Sequence, residues 1–274
     1  MRFGSDLVVD LLAGLGIEYA ACNPGATFRG LHDSLVQDPA RRVGLIECLH
    51  EEDSVAIAHG YAKATGRPMA AVVHDIVGLQ HASMAIYNAW CDRVPLLVLG
   101  ATGPVDAARR RPWIDWIHTA NTQATQVRDY TKWDDQPASI EALPESLVRA
   151  HHLAMAAPPG PVYVCLDTAL QEAPLPDPAP EVPTGVAAPT PLSPHPPAVD
   201  RLAGMLLAAE APVVLADRVG RSTGAVRRLV ELADLLALPV IDRELGYNKV
   251  SLNFPTHHPL NLSGDLAETL GEAD

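Results

Sequence analysis

Apolar residues recur along the first 170 positions in two rhythms that alternate. Leu7, Val8, Leu11, Leu12 and Leu15 are spaced as one face of a helix, and the spacing predicts a helix over 5–15 that Gly16 ends. A strand-like run over 17–22 follows and breaks at Asn23-Pro24-Gly25. The same alternation predicts a helix over 28–35, a strand over 43–49 and a helix over 52–65, the last with Val55, Ala58, Tyr61 and Ala62 on one face and Gly66 at its end. Further strands are predicted over 69–73, 94–99 and 161–166, and further helices over 83–90 and 143–156. Strands that alternate with helices predict an α/β fold, a parallel sheet flanked by helices, with right-handed crossovers.

Ten prolines fall between Pro174 and Pro197. Proline fixes φ and has no N–H to donate, so this stretch reads as an extended linker over 173–197. It separates a first domain over 1–172 from a second α/β pattern over 198–274. There, helices are predicted over 202–209, 225–236 and 266–270, and strands over 213–216 and 239–241. Two parallel strands make a poor sheet. The expectation is therefore a partial second domain, in a chain that is truncated or is one subunit of a split enzyme.

Composition narrows the partners. The net charge is −13, which disfavours nucleic acid. The basic run Arg109-Arg110-Arg111 reads as a solvated loop. Cys22, Cys48, Cys91 and Cys165 form no CxxC pair, and three of them sit in apolar runs where a thiol behaves as a small hydrophobe. The N-terminus lacks a basic segment followed by an apolar stretch, and no run suits a membrane span. A cytoplasmic protein is expected.

In an open parallel sheet, ligands bind beyond the carboxyl ends of the strands. The first three predicted strands end in Asn23-Pro24-Gly25, in His50-Glu51-Glu52-Asp53 and in a loop that runs from His74 through Gly78 and Gln80 to His81. A turn, an acid and a histidine-bearing loop thus share one rim. Each has a plainer explanation. Acids at 51–53 suit a helix N-terminus, Asn-Pro-Gly suits a tight turn, and Gly78 suits a positive φ. Other motifs fail. His50-Glu51 does not open HExxH, because Ser54 stands where the second histidine belongs. His151-His152 and His257-His258 are adjacent and read as solvent-facing. Gly220 and Gly224 do not make a nucleotide loop. No metal-ligating set is expected.

The stretch from His50 to Gly66, HEEDSVAIAHGYAKATG, resembles that of thiamine-diphosphate-dependent enzymes of the acetolactate synthase and benzoylformate decarboxylase group. There an acid after a strand leads into a helix reading Gly-Tyr-Ala-x-x-Thr-Gly. Asn23-Pro24-Gly25, the Asn88–Leu96 stretch and Gly160-Pro161-Val162-Tyr163-Val164 are similar to further segments of that family. The resemblance implies that 1–172 is the pyrimidine-binding domain and that 198–274 is part of the central domain. Glu51 is then the acid that hydrogen-bonds the cofactor's pyrimidine ring, with Asn23, Pro24, Gly25, Gly78 and His81 also at the cofactor. His74 corresponds to a substrate-facing catalytic histidine of some decarboxylases, and Gln80 and His118 would meet the substrate. Bulky Val77 departs from the family's loop. The family's diphosphate-binding Gly-Asp-Gly is not found, since Gly264-Asp265 is followed by Leu266. Mg2+ and diphosphate would be held by the missing domain or by a partner chain, in a homo-oligomer or split enzyme acting on a 2-keto acid. Two alternatives stand beside this one: a non-catalytic binding or regulatory module that keeps the fold, and a nucleotide-binding α/β protein.

Overall fold

A computed structural model describes residues 1–40, 42–187, 189–190, 192–242, 252–264, 266–271 and 273. The chain divides into two units, Met1–Pro191 and Leu192–Asp274.

The first unit opens with α1 (Gly4–Gly14), β1 (Tyr19–Cys22), α2 (Arg29–Gln37) and β2 (Gly44–Glu47). It continues with α3 (Glu51–Thr65), β3 (Met69–Val73), α4 (Ile76–Cys91) and β4 (Leu96–Thr102). After a long loop come β5 (Asp134–Asp135), α5 (Leu143–Met155), β6 (Pro161–Asp167) and α6 (Thr168–Gln171). The six strands form one sheet in the order β2-β1-β3-β4-β6-β5, and every pairing is parallel. Strand order reverses between β1 and β3, which makes their carboxyl ends the crevice where such sheets bind ligands.

Successive residues of a strand face opposite sides, and here both sides are dry. Ala70, Val72, Leu97 and Leu99 join a core with α1, α2 and α5. Met69, Ala71, Val73, Leu96 and Val98 join a second core with α3 and α4. That is why β3, β4 and β6 read as continuous apolar runs rather than as alternations.

The α/β architecture with a helix-flanked parallel sheet is the one the sequence predicts, with two differences near the rim. α4 begins at Ile76, not at 83. The stretch that reads as a loop up to His81 is therefore helix, started by the Asp75 side chain, which accepts from Val77 N at 3.0 Å; aspartate is a strong N-cap. β5 is too short and polar to register as a strand in the pattern.

The proline-rich stretch turns back along the first unit: Leu175 N donates to Arg2 O at 2.9 Å, and His152 Nε2 lies 3.2 Å from Ala187 O. The second unit holds α7 (Pro196–Ala208), β7 (Val214–Ala216), α8 (Thr223–Leu236), β8 (Val240–Asp242) and α9 (Leu266–Gly271). β7 and β8 pair in parallel over a small core of Ala216, Ala233, Leu238, Val240 and Phe254. Gly220 N, in the would-be nucleotide loop, donates to Asn253 Oδ1 at 3.0 Å. Asp265 lies outside the described residues. Among the described residues no helix is long and apolar enough to cross a membrane.

Buried cysteines behave as expected of small hydrophobes: burial pushes the Cys22 and Cys165 thiols up to about 12. The adjacent histidines do not all face solvent. His151 lies on the buried side of α5 and is 4 % exposed, and His258 pairs with Asp234 at 3.2 Å and rests against Phe254. Adjacent helical residues point apart by about 100°, so one member of the 151–152 pair had to turn inward on an amphipathic helix. Burial holds the His151 imidazole below its ordinary range. It does the same to His59, although Asp92 pulls that ring the other way. Both rings bind a proton less readily folded than unfolded, so their contribution to stability is lost as pH falls below about 6.5. The midpoint of thermal unfolding is expected to drop between pH 7.5 and 5.5, and His151→Leu to make that drop shallower; an equal slope in the variant would remove His151 as a cause.

Candidate active site

Four crossovers of the sheet deliver side chains to one rim. β2 ends just before α3, and Glu51 is the first residue of that helix. The dipole explanation suffices for Glu52 and Asp53, which are exposed in the first turn. It does not explain why Glu51 turns inward and is only 8 % exposed.

Across from Glu51 lies Gly78, one turn into α4. A Cβ at that position would sit 2.8 Å from Glu51 Oε1 and 2.8 Å from His74 Cβ, closer than side chains pack. The missing side chain lets α4 start against the Glu51 carboxyl, so Gly78 serves close approach and not the positive φ its sequence context suggests; it is helical. His81, one turn further on, places Nδ1 3.8 Å from Glu51 Oε2 and stacks on His50 with centroids 5.3 Å apart.

At the end of β1 the turn Asn23-Pro24-Gly25 leads into a short 3-10 turn, Ala26–Phe28. A Cβ on Gly25 would overlap the His74 ring. With that space open, Ala26 N reaches His74 Nε2 at 3.1 Å. Asn23 is half-buried and Pro24 exposed. The other edge of the His74 ring lies 2.8 Å from Asp75 N and 3.0 Å from Asp75 Oδ1. Both nitrogens of His74 thus face protein groups.

His118 arrives from the loop after β4. Gly103 N donates to His118 O at 2.9 Å, which ties the loop to the strand end. Inside it, buried Asp115 accepts from Arg111 N, Nε and Nη2 at 2.6, 3.0 and 2.7 Å. Arg111 is thus engaged within the loop and is not a freely solvated charge. The His118 ring meets that of His74 edge-on, centroids 5.0 Å apart.

The structure therefore brings Glu51, Gly78 and His81 together, and Gly25, His74 and His118 together, with Gly78 touching both groups. Gln80 is exposed on α4. Sequence reasoning passed over Asp75, which is fully buried between His74 and His118. Its position just ahead of an amphipathic helix is an N-cap signal, missed because the helix start was placed seven residues late.

Residues 2–130 match the family model described as thiamine pyrophosphate enzyme, N-terminal TPP binding domain. This chain carries, over those residues, an N-terminal domain of the thiamine-diphosphate enzyme family. It is 27 % identical over 270 residues to "Probable acetolactate synthase 2, chloroplastic" of Oryza sativa subsp. japonica, covering 95 % of this chain and 38 % of that protein. It is 28 % identical over 277 residues to a "Probable 2-ketoarginine decarboxylase" of Pseudomonas aeruginosa, covering 97 % and 46 %. Among solved structures, benzoylformate decarboxylase from Polynucleobacter necessarius superimposes with a TM-score of 0.78 at 25 % identity, over 95 % of this chain and 46 % of that one. The chain thus spans less than half the length of these relatives.

The thiamine-diphosphate enzyme domain over 2–130 implies that cofactor, and the chemistry of the rim fits part of it. A carboxyl is held out of bulk water beside a helix that glycine has stripped of its side chain, which suits a flat ring placed against Glu51. Gly78 also makes a clean test of this geometry. In an open helix Gly→Ala stabilises by about 1 kcal/mol. Gly60, inside α3 with nothing within 4 Å of an added Cβ, is expected to show that gain. Gly78→Ala is expected to lose about 1–3 kcal/mol through overpacking. Denaturant unfolding of both variants decides, and a gain at Gly78 would contradict the close approach.

Proposed function

We propose that this chain supplies the aminopyrimidine-binding half of a thiamine-diphosphate-dependent 2-keto acid decarboxylase or carboligase. The observation that carries the reading is the inward-turned Glu51 at the start of α3, faced by a glycine. Bound thiamine diphosphate supplies the carbon nucleophile and the electron sink for cleaving a bond beside a carbonyl.

In this reading Glu51 hydrogen-bonds a ring nitrogen of the cofactor and exchanges a proton with it at a carboxylate oxygen. Shielding from water strengthens that hydrogen bond. Gly78 admits the ring to the Glu51 carboxyl. Asn23-Pro24-Gly25 and His81 border the same space. His74 holds the β1 turn through Ala26 N and forms the floor of the site below Gly25. His118, with Gln80 further out, meets the 2-keto acid.

Mg2+ and the diphosphate are then held by the surface of another chain, in a homo-oligomer or a split enzyme. Support comes from the exposed apolar side chains near the site in sequence: Leu49 is 85 %, Val77 55 % and Met84 63 % exposed. Exposed apolar side chains that form one contiguous patch mark surfaces that bury against a partner. A cytoplasmic setting fits a small-molecule enzyme of this kind.

Glu51→Gln keeps the size and the helix position while removing the shared proton. In the full-length enzyme it is expected to lower turnover of a 2-keto acid by about 100-fold or more, with the unfolding midpoint unchanged. Turnover near the wild-type rate would overturn the assignment of Glu51. His74→Ala is expected to lower turnover more than cofactor affinity, because it releases the β1 turn without touching the acid; an unchanged rate and substrate profile would make His74 a packing residue only.

A further inference from the structure

Asp75 is fully buried and touches both histidines of the site. Its Oδ1 accepts from Val77 N at 3.0 Å and lies 3.0 Å from His74 Nδ1. Its Oδ2 lies 3.3 Å from His118 Nδ1. That last pair lacks the alignment of a full hydrogen bond, and neither atom has another partner. A buried carboxylate oxygen and a buried ring nitrogen with only each other in reach are a donor and an acceptor waiting to be matched.

The protons on the two rings follow from the groups around them. On His74, Nε2 faces the Ala26 N–H and Nδ1 faces both the Asp75 N–H and the carboxylate. A neutral imidazole accepts at one nitrogen and donates at the other. A backbone N–H faces each ring nitrogen, Asp75 N at Nδ1 and Ala26 N at Nε2, so either tautomer sets one proton against a donor; a proton on Nδ1 also has the Asp75 Oδ1 carboxylate oxygen at 3.0 Å, so Nδ1 carries the proton and Nε2 accepts from Ala26. On His118, Nδ1 has no hydrogen-bond partner among the described residues and lies 3.3 Å from the Asp75 oxygen, which can only accept. Nδ1 carries the proton there too, and Nε2 keeps its lone pair.

Three such groups with ligand atoms within 4.8 Å of one another could also hold a metal ion. An ion on His74 Nδ1 would force the proton onto Nε2, against the Ala26 N–H at 3.1 Å. The Nε2 proton would then face a donor, and the ion would face the Asp75 N–H at Nδ1, a mismatch at both nitrogens where the hydrogen-bonded arrangement has one, which favours that arrangement over the ion.

We propose that Asp75 is a positioning residue that holds His74 and His118 in one tautomer, Nδ1–H, and so leaves His118 Nε2 as the free ring nitrogen at the substrate side of the site. Asp75 thereby does two things: it starts α4 and it orients the two rings. The part concerning substrate rests on the function proposed above, whereas the tautomers belong to the protein alone.

Asp75→Asn separates these roles. Asparagine caps a helix as well as aspartate does, and its oxygen can keep Val77 N and His74 Nδ1. The amide –NH2 then faces His118 Nδ1 and turns that nitrogen into an acceptor. In the full chain labelled with 15N-histidine, with His74→Gln and His118→Gln used for assignment, imidazole NMR without cofactor is expected to show Nδ1–H on both rings of the wild type. In Asp75→Asn, His118 is expected to become Nε2–H while His74 stays unchanged. In the full-length enzyme with thiamine diphosphate, kcat is expected to fall by about 10-fold or more, the effect of a wrong tautomer on a proton-transfer histidine, with KM changed less than about threefold and His118→Gln giving a similar loss. Nε2–H on His118 in the wild type, an unaltered His118 in the variant, or one equivalent of tightly held zinc in the purified wild-type protein would each overturn the proposal. Should the wild type show no turnover with thiamine diphosphate, the proposed function fails while the spectra alone still decide the role of Asp75.

Discussion

A side chain at position 78 has nowhere to go, and the geometry of the rim follows from that. An added Cβ there would meet the Glu51 carboxyl and the His74 side chain together. α4 can begin so close to the acid only because glycine stands in its first turn. Gly25 plays the matching part from the other side, where the absence of a side chain lets the β1 turn settle on the His74 ring and bond it through Ala26 N. Two missing side chains, one on a helix and one on a turn, let three strand ends converge, with the β1 turn hydrogen-bonded to His74 and Glu51 within 3.8 Å of His81. Glycine inside a helix gives up about 1 kcal/mol relative to alanine. That local loss is tolerated where a site needs the space.

The same topology accounts for two buried acids on one edge. Every right-handed crossover in a parallel sheet starts its helix at the carboxyl end of a strand. Helix N-termini therefore line up along that edge, each with unpaired N–H groups and a partial positive charge. α3 places Glu51 at its first position, and α4 takes Asp75 as its N-cap. Burying a carboxylate is costly in an apolar core, and these two positions lower that cost. The acids then serve different ends. Asp75 spends its oxygens on Val77 N and on two imidazoles, whereas Glu51 faces the open side of a glycine.

How far the site is legible in the sequence follows from the same physics. The strand over 69–73 is legible because a strand buried on both faces is a short apolar run, and Met69–Val73 is one. The helix start at Glu51 is legible because it directly follows an apolar run and leads into a helix that glycine ends, whereas a cofactor role for Glu51 comes from the resemblance alone. The start of α4 was not. Ile76-Val77-Gly78-Leu79-Gln80-His81 has a glycine in its first turn and no amphipathic repeat long enough to reveal a helix, so it reads as loop. Once that helix start was misplaced, Asp75 lost its meaning as a cap. His118 was named only through resemblance, because the loop that carries it is held by non-periodic contacts such as Arg111 with Asp115. The inward turn of His151 depended on which face of α5 met the sheet, and one histidine pair in isolation does not show that.

These features also bear on whether the first unit is only a scaffold. A domain kept for its fold would gain stability from alanine wherever a helical glycine is free to take it, as at Gly60, and would have no use for a carboxylate sealed between two imidazoles. At the rim the chain holds a glycine that cannot be filled, an acid turned away from solvent although its helix would be equally well served by exposed Glu52 and Asp53, and an aspartate whose second oxygen has only a histidine to meet. Their grouping at the switch point of a parallel sheet fits the proposed binding site for a cofactor ring and a small acid.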